Sequence, residues 1–259
     1  MATSELARRL WQARLDGTVI DAATVTPPAS TEAAYALQAE ITALSGCKVL
    51  GFKVGSTSIE AQKFLGTDEP GSAPLLAPYM FESPADVAVS APHMPAVEGE
   101  FAFKLANDLP LRTSPYTRED IADAVAAVAG SIEVVGTRFK GGLAGKGRLL
   151  TTADGGVNIA LVAGRWERNW RNLDLPAHGV TMRVNGVLKG SGNGARALGD
   201  PMHVMVWLVN QQSRWGRGMK AGDIVCTGTC TGLDAVRPGD RVSAEFGSLG
   251  TVDITFRAM

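Results

Sequence analysis

The run Val97-Glu98-Gly99-Glu100-Phe101-Ala102-Phe103-Lys104 constrains this chain more than any other. Val97, Gly99, Phe101 and Phe103 alternate with Glu98, Glu100, Ala102 and Lys104. A period of two specifies a strand with one apolar face. Both carboxylates then project from the same side, about 7 Å apart along the strand. At that spacing they repel unless a cation lies between them or water screens both. Two glutamates facing water beside Lys104 satisfy the pattern as well as a bound cation does. A third carboxylate, Glu133, sits inside the apolar run Ser131-Ile132-Glu133-Val134-Val135. Oxygen-only clusters of this kind suit hard divalent ions such as Mg²⁺.

A chain of 259 residues, 45% hydrophobic, can bury a substantial core in one large domain or two small ones. Its net charge of −1 announces no nucleic-acid partner and no affinity for an anionic membrane. There is no apolar leader core and no 18-residue apolar run, so the expectation is a cytoplasmic protein. Cys47, Cys226 and Cys230 show no disulfide spacing. The C-x₃-C pair lacks a second Cys/His pair for zinc, so buried reduced thiols are expected.

The first 70 residues read as a helical portion and residues 71–259 as a β-rich domain. Helical spacing covers residues 4–15 and 32–45, the second between Thr31 as cap and Gly46 as stop. A short strand, KVLGFKVG, and a brief helix, IEAQKFLG, follow. Beyond residue 70, short strands alternate with turns, and Asn185-Gly186 marks a hairpin. Two further helices are expected. One starts at Thr117, with Asp120 completing a capping box, and carries Ile121, Val125 and Val128. The other starts at Asp200-Pro201. The fold class is α+β, with mixed β architecture.

Lys53, between Phe52 and Val54, is either an edge-strand lysine facing water or a buried cation near a reacting group. Gly190-Ser191-Gly192-Asn193-Gly194-Ala195 has the form of a dinucleotide loop. It lacks the immediate helix and the downstream acidic residue that such a loop needs. GGLAGKG fails as a phosphate loop because Gly147 follows Lys146. His93, His178 and His203 have no metal spacing. Arg138 and Lys140 are either solvated or at the rim of a carboxylate cluster.

Several segments together resemble the 2-keto-4-pentenoate hydratase and oxalocrotonate decarboxylase group of the fumarylacetoacetate hydrolase superfamily. They are GFKVGSTSIEAQKFLG, VEGEFAFKLANDLP, SIEVVGTRF, NGVLKGSGNGARALGDPMHVMVWLVNQ and the closing AGDIVCTGTCTGLDAVRPGDRVSAEFGSLGTVDITF, spread over about residues 49–257. The resemblance implies a mixed β-sandwich or roll with an N-terminal helical portion. It implies Glu98, Glu100 and Glu133 as ligands to Mg²⁺ or Mn²⁺, Lys53 as the catalytic residue, and Thr57 and Ser58 as substrate-binding residues. It also implies a homo-oligomer, or a complex with a decarboxylase or hydratase of the same pathway. The chain departs from the group's pattern at Gly136 and at Ala77-Pro78, where acidic residues are expected.

The activity so implied is metal-dependent addition of water to a 2-hydroxy-2,4-dienoate, as in meta-cleavage catabolism of aromatic compounds. Decarboxylation of 2-oxo-3-hexenedioate is the alternative enzymatic expectation. A non-catalytic partner subunit of such an enzyme is the other.

Overall fold

The structure, a computed structural model, describes residues 4–259. Its helices begin and end where side-chain chemistry dictates. Ser4 caps α1 (Glu5–Asp16) by accepting the Ala7 N–H, and Gly17, at φ 68°, ends it. The second helix, α2, spans Thr31–Ser45. Its cap is Ser30 rather than Thr31, because the Ser30 hydroxyl accepts the Ala33 N–H and leaves Thr31 in the first helical position. Ser58 caps α3 (Ile59–Leu65), and Gly66 stops it at φ 66°. The remaining helices are α4 (Arg118–Ala124), α5 (Gly147–Ala153) and α6 (Pro201–Arg214).

The Thr117–Asp120 capping box forms as expected, but α4 ends at Ala124. Val125 and Val128 belong instead to an eleven-residue strand. β-Branched residues every few positions fit both periods, and pairing with two neighbouring strands decides for the extended form.

In chain order the strands are β1 (Val49–Gly55), β2 (Gly71–Leu76), β3 (Met80–Glu82), β4 (Ala85–Val89), β5 (Ala96–Leu105), β6 (Val125–Val135) and β7 (Asn158–Ala163). Then come β8 (Gly179–Val184), β9 (Val187–Asn193), β10 (Ile224–Cys226), β11 (Asp234–Ala235), β12 (Arg241–Glu245) and β13 (Thr251–Ala258). The larger sheet has the order β2-β1-β10-β5-β6-β7-β3, with β11 pairing on β5, and the smaller has β4-β13-β12-β8-β9. Both are mixed, since β1–β10, β3–β7 and β4–β13 run parallel. The 8–9 hairpin turns through Asn185 and Gly186, both at positive φ.

The two sheets close over one core. Phe101 and Phe103, from the apolar face of β5, are fully buried with Phe246, Ile254 and Phe256. Gly130 in β6 is required there, because the Phe246 ring lies where a Cβ would be. The opposite face of β5 therefore carries Glu98 and Glu100 away from this core. The helices α1 and α2 pack through Leu10, Leu37 and Ile41 on Phe139 and Leu150. Strand β1 lies inside the larger sheet and pairs directly with β2, across residue 70.

Candidate active site

Strand register assembles the site. Lys53 on β1 is the partner of Cys226 on β10, and Cys226 is the partner of Ala102 on β5. Ala102 shares its face with Glu98 and Glu100. On the next strand Glu98 pairs with Glu133 and Glu100 with Ser131. One face of four neighbouring strands thus brings together Lys53, Cys226, Glu98, Glu100 and Glu133. Because β1 is interior to the sheet, Lys53 is no edge residue, and it is 4% exposed. Glu100 is 1% exposed and Glu133 fully buried, so the solvated reading of this face does not hold for them. Glu98 is half-buried.

The ammonium of Lys53 lies 3.2 Å from Glu133 Oε2. Asn158 donates from Nδ2 to the other oxygen of Glu133 at 2.8 Å. The N–H of Gly228 donates to Glu100 Oε2 at 2.9 Å. Gly228 has φ +93°, and the Thr57 side chain occupies the space a Cβ would need. Thr57, itself buried, thereby seats the loop that holds Glu100. Ser58 uses its hydroxyl to cap α3.

Burial and the neighbouring Glu133 raise Glu98 to about 7, against the pull of Lys53. Glu100 is pushed well above the carboxylate range by burial, then by Glu133 and Glu98. Burial disfavours the charged form of Lys53, but Glu133, Glu98 and Glu100 outweigh it and hold the ammonium protonated. Cys226 is pushed up by burial and by Glu100 and Glu133, so it remains a neutral thiol.

Glu100 Oε1 is buried and accepts no hydrogen bond, and Glu133 Oε2 has only its ion pair with Lys53. Ligand atoms of Glu100, Glu133 and Cys226 lie within 4.8 Å of one another, with Glu98 outside that group. Buried carboxyl oxygens clustered in this way suit a hard divalent ion, for which a neutral thiol is a poor ligand. The residues present therefore fit Mg²⁺ through oxygen. Above them opens a cavity of about 470 Å³, whose walls include Lys53, Thr57, Ser58, Glu98, Glu100 and Arg148.

Other expected residues fall elsewhere. Arg138 is buried in an ion pair with Asp154 at 2.6 Å. His203 is exposed, with Nδ1 3.0 Å from the Leu198 carbonyl. A Cβ on Gly136 would lie 2.6 Å from Ile159 Cδ1 and 2.8 Å from the His93 carbonyl oxygen, so this position is packed shut and admits no acid. Pro78 lines a separate cavity with Arg14 and His93, and Ala77 lines neither that cavity nor the one above the carboxylates. The departures at these positions thus lie off the cavity wall. Sequence reasoning missed Asn158, Gly228 and Cys226 as parts of the site, since each is placed by long-range register. It missed α5 as well, where only the failed phosphate loop had drawn notice.

Residues 49–257 match the C-terminal fumarylacetoacetate (FAA) hydrolase family. The chain is 32% identical to the 2-keto-4-pentenoate hydratase of Paraburkholderia xenovorans (strain LB400), over 98% of this chain and 94% of that protein. It is also 32% identical to the 2-hydroxyhexa-2,4-dienoate hydratase of Comamonas testosteroni, over 89% and 88%. Among solved structures, the 4-oxalocrotonate decarboxylase from Pseudomonas putida G7, complexed with magnesium and adipate, superposes with a TM-score of 0.88. That match covers 97% of this chain and 95% of the other at 27% identity. The chain belongs to the fumarylacetoacetate hydrolase family, and its fold is that family's mixed α/β fold with N-terminal helices. These relatives are lyases, and no helix among the described residues is long and apolar enough to cross a membrane.

Proposed function

We propose that this chain is a metal-dependent lyase that adds water to a 2-hydroxy-2,4-dienoate of the 2-keto-4-pentenoate type. The observation that carries the reading is the buried carboxyl cluster, with Glu100 Oε1 lacking any partner and Glu133 Oε2 ion-paired to Lys53, under an open cavity. Glu98, Glu100 and Glu133 would hold the ion. Bound there, Mg²⁺ or Mn²⁺ supplies Lewis-acid stabilisation of negative charge on the substrate's C1 carboxylate and C2 oxygen.

The chain's own groups do the rest. Three carboxylates keep Lys53 charged, so it acts as a hydrogen-bond donor to the C2 oxygen rather than as a base. Thr57 and Ser58, where β1 leads into α3, border the space in which the substrate lies. Loss of the enol proton from O2 and gain of a proton at the far diene carbon give a 2-oxo-3-enoate. Water then adds across its double bond.

The likeness to a decarboxylase supports a second reading, loss of CO₂ from 2-oxo-3-hexenedioate through the same enolate. The purified protein, given Mg²⁺ and each of the two substrates in turn, distinguishes them by product. Hydrated 4-hydroxy-2-oxo acid is expected. Release of CO₂ without hydration assigns the decarboxylase reading, and no turnover of either substrate overturns the lyase assignment.

A further inference from the structure

We infer that Thr231 is a positioning residue for the metal centre: it pins the segment between β10 and β11 so that the Gly228 N–H meets Glu100. The inference rests on the metal-dependent reading above and concerns how this chain holds one of the ligands still.

One edge of β5 is taken by β6 along its whole length, so β10 and β11 share the other edge. Cys226 stands opposite Ala102, and Asp234 opposite Val97. The chain takes eight steps from 226 to 234 where β5 takes five from 102 to 97, which leaves three residues surplus. A bulge of this kind re-aims groups beside a site. The cavity wall holds Gly228, Thr229, Gly232 and Leu233 from the bulged segment, but not Thr231. Backbone bonds tie the segment down at two points. The Thr227 N–H donates to the Phe101 carbonyl at 3.1 Å, and the Cys230 N–H to the Gly99 carbonyl at 2.7 Å. A side chain makes the next tie, since the Gly99 N–H donates to Thr231 Oγ1 at 3.0 Å. Gly99 lies between Glu98 and Glu100, so this bond fixes the segment to the backbone that carries both carboxyl groups. Thr231 is buried. Gly228 lies between these ties and holds Glu100 Oε2 through its N–H, which leaves Oε1 as the oxygen without a partner.

The smaller sheet closes the clamp. Gly190 and Gly192 lie on β9. A Cβ on Gly190 would lie 2.6 Å from the Thr231 carbonyl oxygen, and one on Gly192 would lie 2.0 Å from that of Cys230. Glycine inside a strand marks such close approach of a second backbone. The glycine run with the form of a dinucleotide loop therefore seats a segment of this chain, and that segment carries the donor to Glu100. Thr231 is held between β5 on one side and β9 on the other, and it acts on the ion only through Gly228 and Glu100.

Mg²⁺ affinity, read by calorimetry well below the melting temperature of each variant, tests this. Thr231→Val keeps the shape and removes the acceptor for the Gly99 N–H. Its Mg²⁺ affinity should fall by about tenfold or more, as for other groups that orient a metal ligand. Thr231→Ser keeps the hydroxyl and should bind Mg²⁺ within about twofold of the parent. A purely structural threonine predicts a lower melting temperature for Thr231→Val with unchanged Mg²⁺ affinity, and that result overturns the inference. Gly192→Ala and Gly194→Ala form a matched pair that leaves Thr231 in place. Each drives a Cβ against a backbone carbonyl, but Gly194 meets Leu175, at 2.2 Å, and not the bulged segment. Both should melt lower, and only Gly192→Ala should lose Mg²⁺ affinity, again by about tenfold. Equal losses in the two would trace the effect to general loosening and overturn the inference. Should Thr231→Val fail to fold, this pair decides. A parent protein that binds no Mg²⁺ overturns the metal-dependent reading as well, whereas normal Mg²⁺ binding in Thr231→Val removes the positioning role alone.

Discussion

Lys53 and Glu133 form a buried ion pair at 3.2 Å, and neither residue reaches solvent to any useful extent. Removing Lys53 leaves the buried Glu133 carboxylate without its counter-ion. We expect Lys53→Met to lower turnover by about two orders of magnitude. It should also destabilise the metal-free protein by about 3 kcal/mol or more. Steady-state kinetics and thermal melts check both. Near-normal turnover would remove Lys53 from the reaction.

Glu100→Gln makes the opposite change. It removes an ionisable group whose charged form burial and two neighbouring carboxyls disfavour, while keeping the shape and the acceptor for the Gly228 N–H. The metal-free variant should melt at a higher temperature than the parent near pH 8, and its Mg²⁺ affinity should fall by at least tenfold. A purely structural Glu100 predicts a lower melting temperature and unchanged Mg²⁺ binding. Calorimetric titration with Mg²⁺ reads the second quantity directly.

The raised carboxylates set a pH dependence. Folding lifts Glu98 from 4.5 to about 7, so between those values the metal-free native state binds more protons than the unfolded chain. Stability of the metal-free protein should therefore fall as pH rises through that window. Mg²⁺ must displace the same protons, so its affinity should rise from pH 6 to pH 8. Addition of Mg²⁺ should flatten the stability curve. A metal affinity that does not change across this range would remove Glu98 from the ligand set.

How much of this was legible in the sequence follows from the range of the interactions. The period-two run at 97–104 located β5 and put both glutamates on one face, because alternation is a property of a single strand. Thr117-Asp120 and Asp200-Pro201 marked helix starts for the same local reason. The course of Val125 and Val128 was not legible, since β6 is decided by its partners β5 and β7. Cys226 met Lys53 only through the parallel β1–β10 register, over 170 residues of intervening chain. Local pattern singled out Glu133 and Lys53, each inside an apolar run, but left Lys53 open between water and burial, and only the resemblance implied their roles.

Gly136, where the group's pattern has an acid, leaves no room for one. With Ile159 and the His93 carbonyl at 2.6 and 2.8 Å from any Cβ, Gly136→Asp should not raise turnover. It should lower the melting temperature, and Gly136→Ala should lower it as well, by an amount corresponding to about 1–3 kcal/mol of overpacking. Higher turnover in a stably folded Gly136→Asp protein would show that the position opens toward the site.

Asn158 links the N-terminal helices to the carboxylates. Its carbonyl accepts from Arg14 at 2.6 Å and from Arg138 at 3.1 Å, and its side chain donates to Glu133. The amide thus holds Glu133 Oε1 and leaves Oε2 toward Lys53. Asn158→Leu keeps the backbone carbonyl contacts but strands a buried carboxylate oxygen, a loss of about 1–3 kcal/mol. A positioning role predicts more than lost stability. Mg²⁺ affinity should drop about tenfold or more, as for other groups that orient a metal ligand. Asn158→Asp adds a fourth negative charge instead of removing a donor. It should destabilise the metal-free protein more at pH 8 than at pH 6, and the difference should shrink at saturating Mg²⁺. Unchanged Mg²⁺ binding in Asn158→Leu, measured well below its melting temperature, would reduce Asn158 to a packing residue.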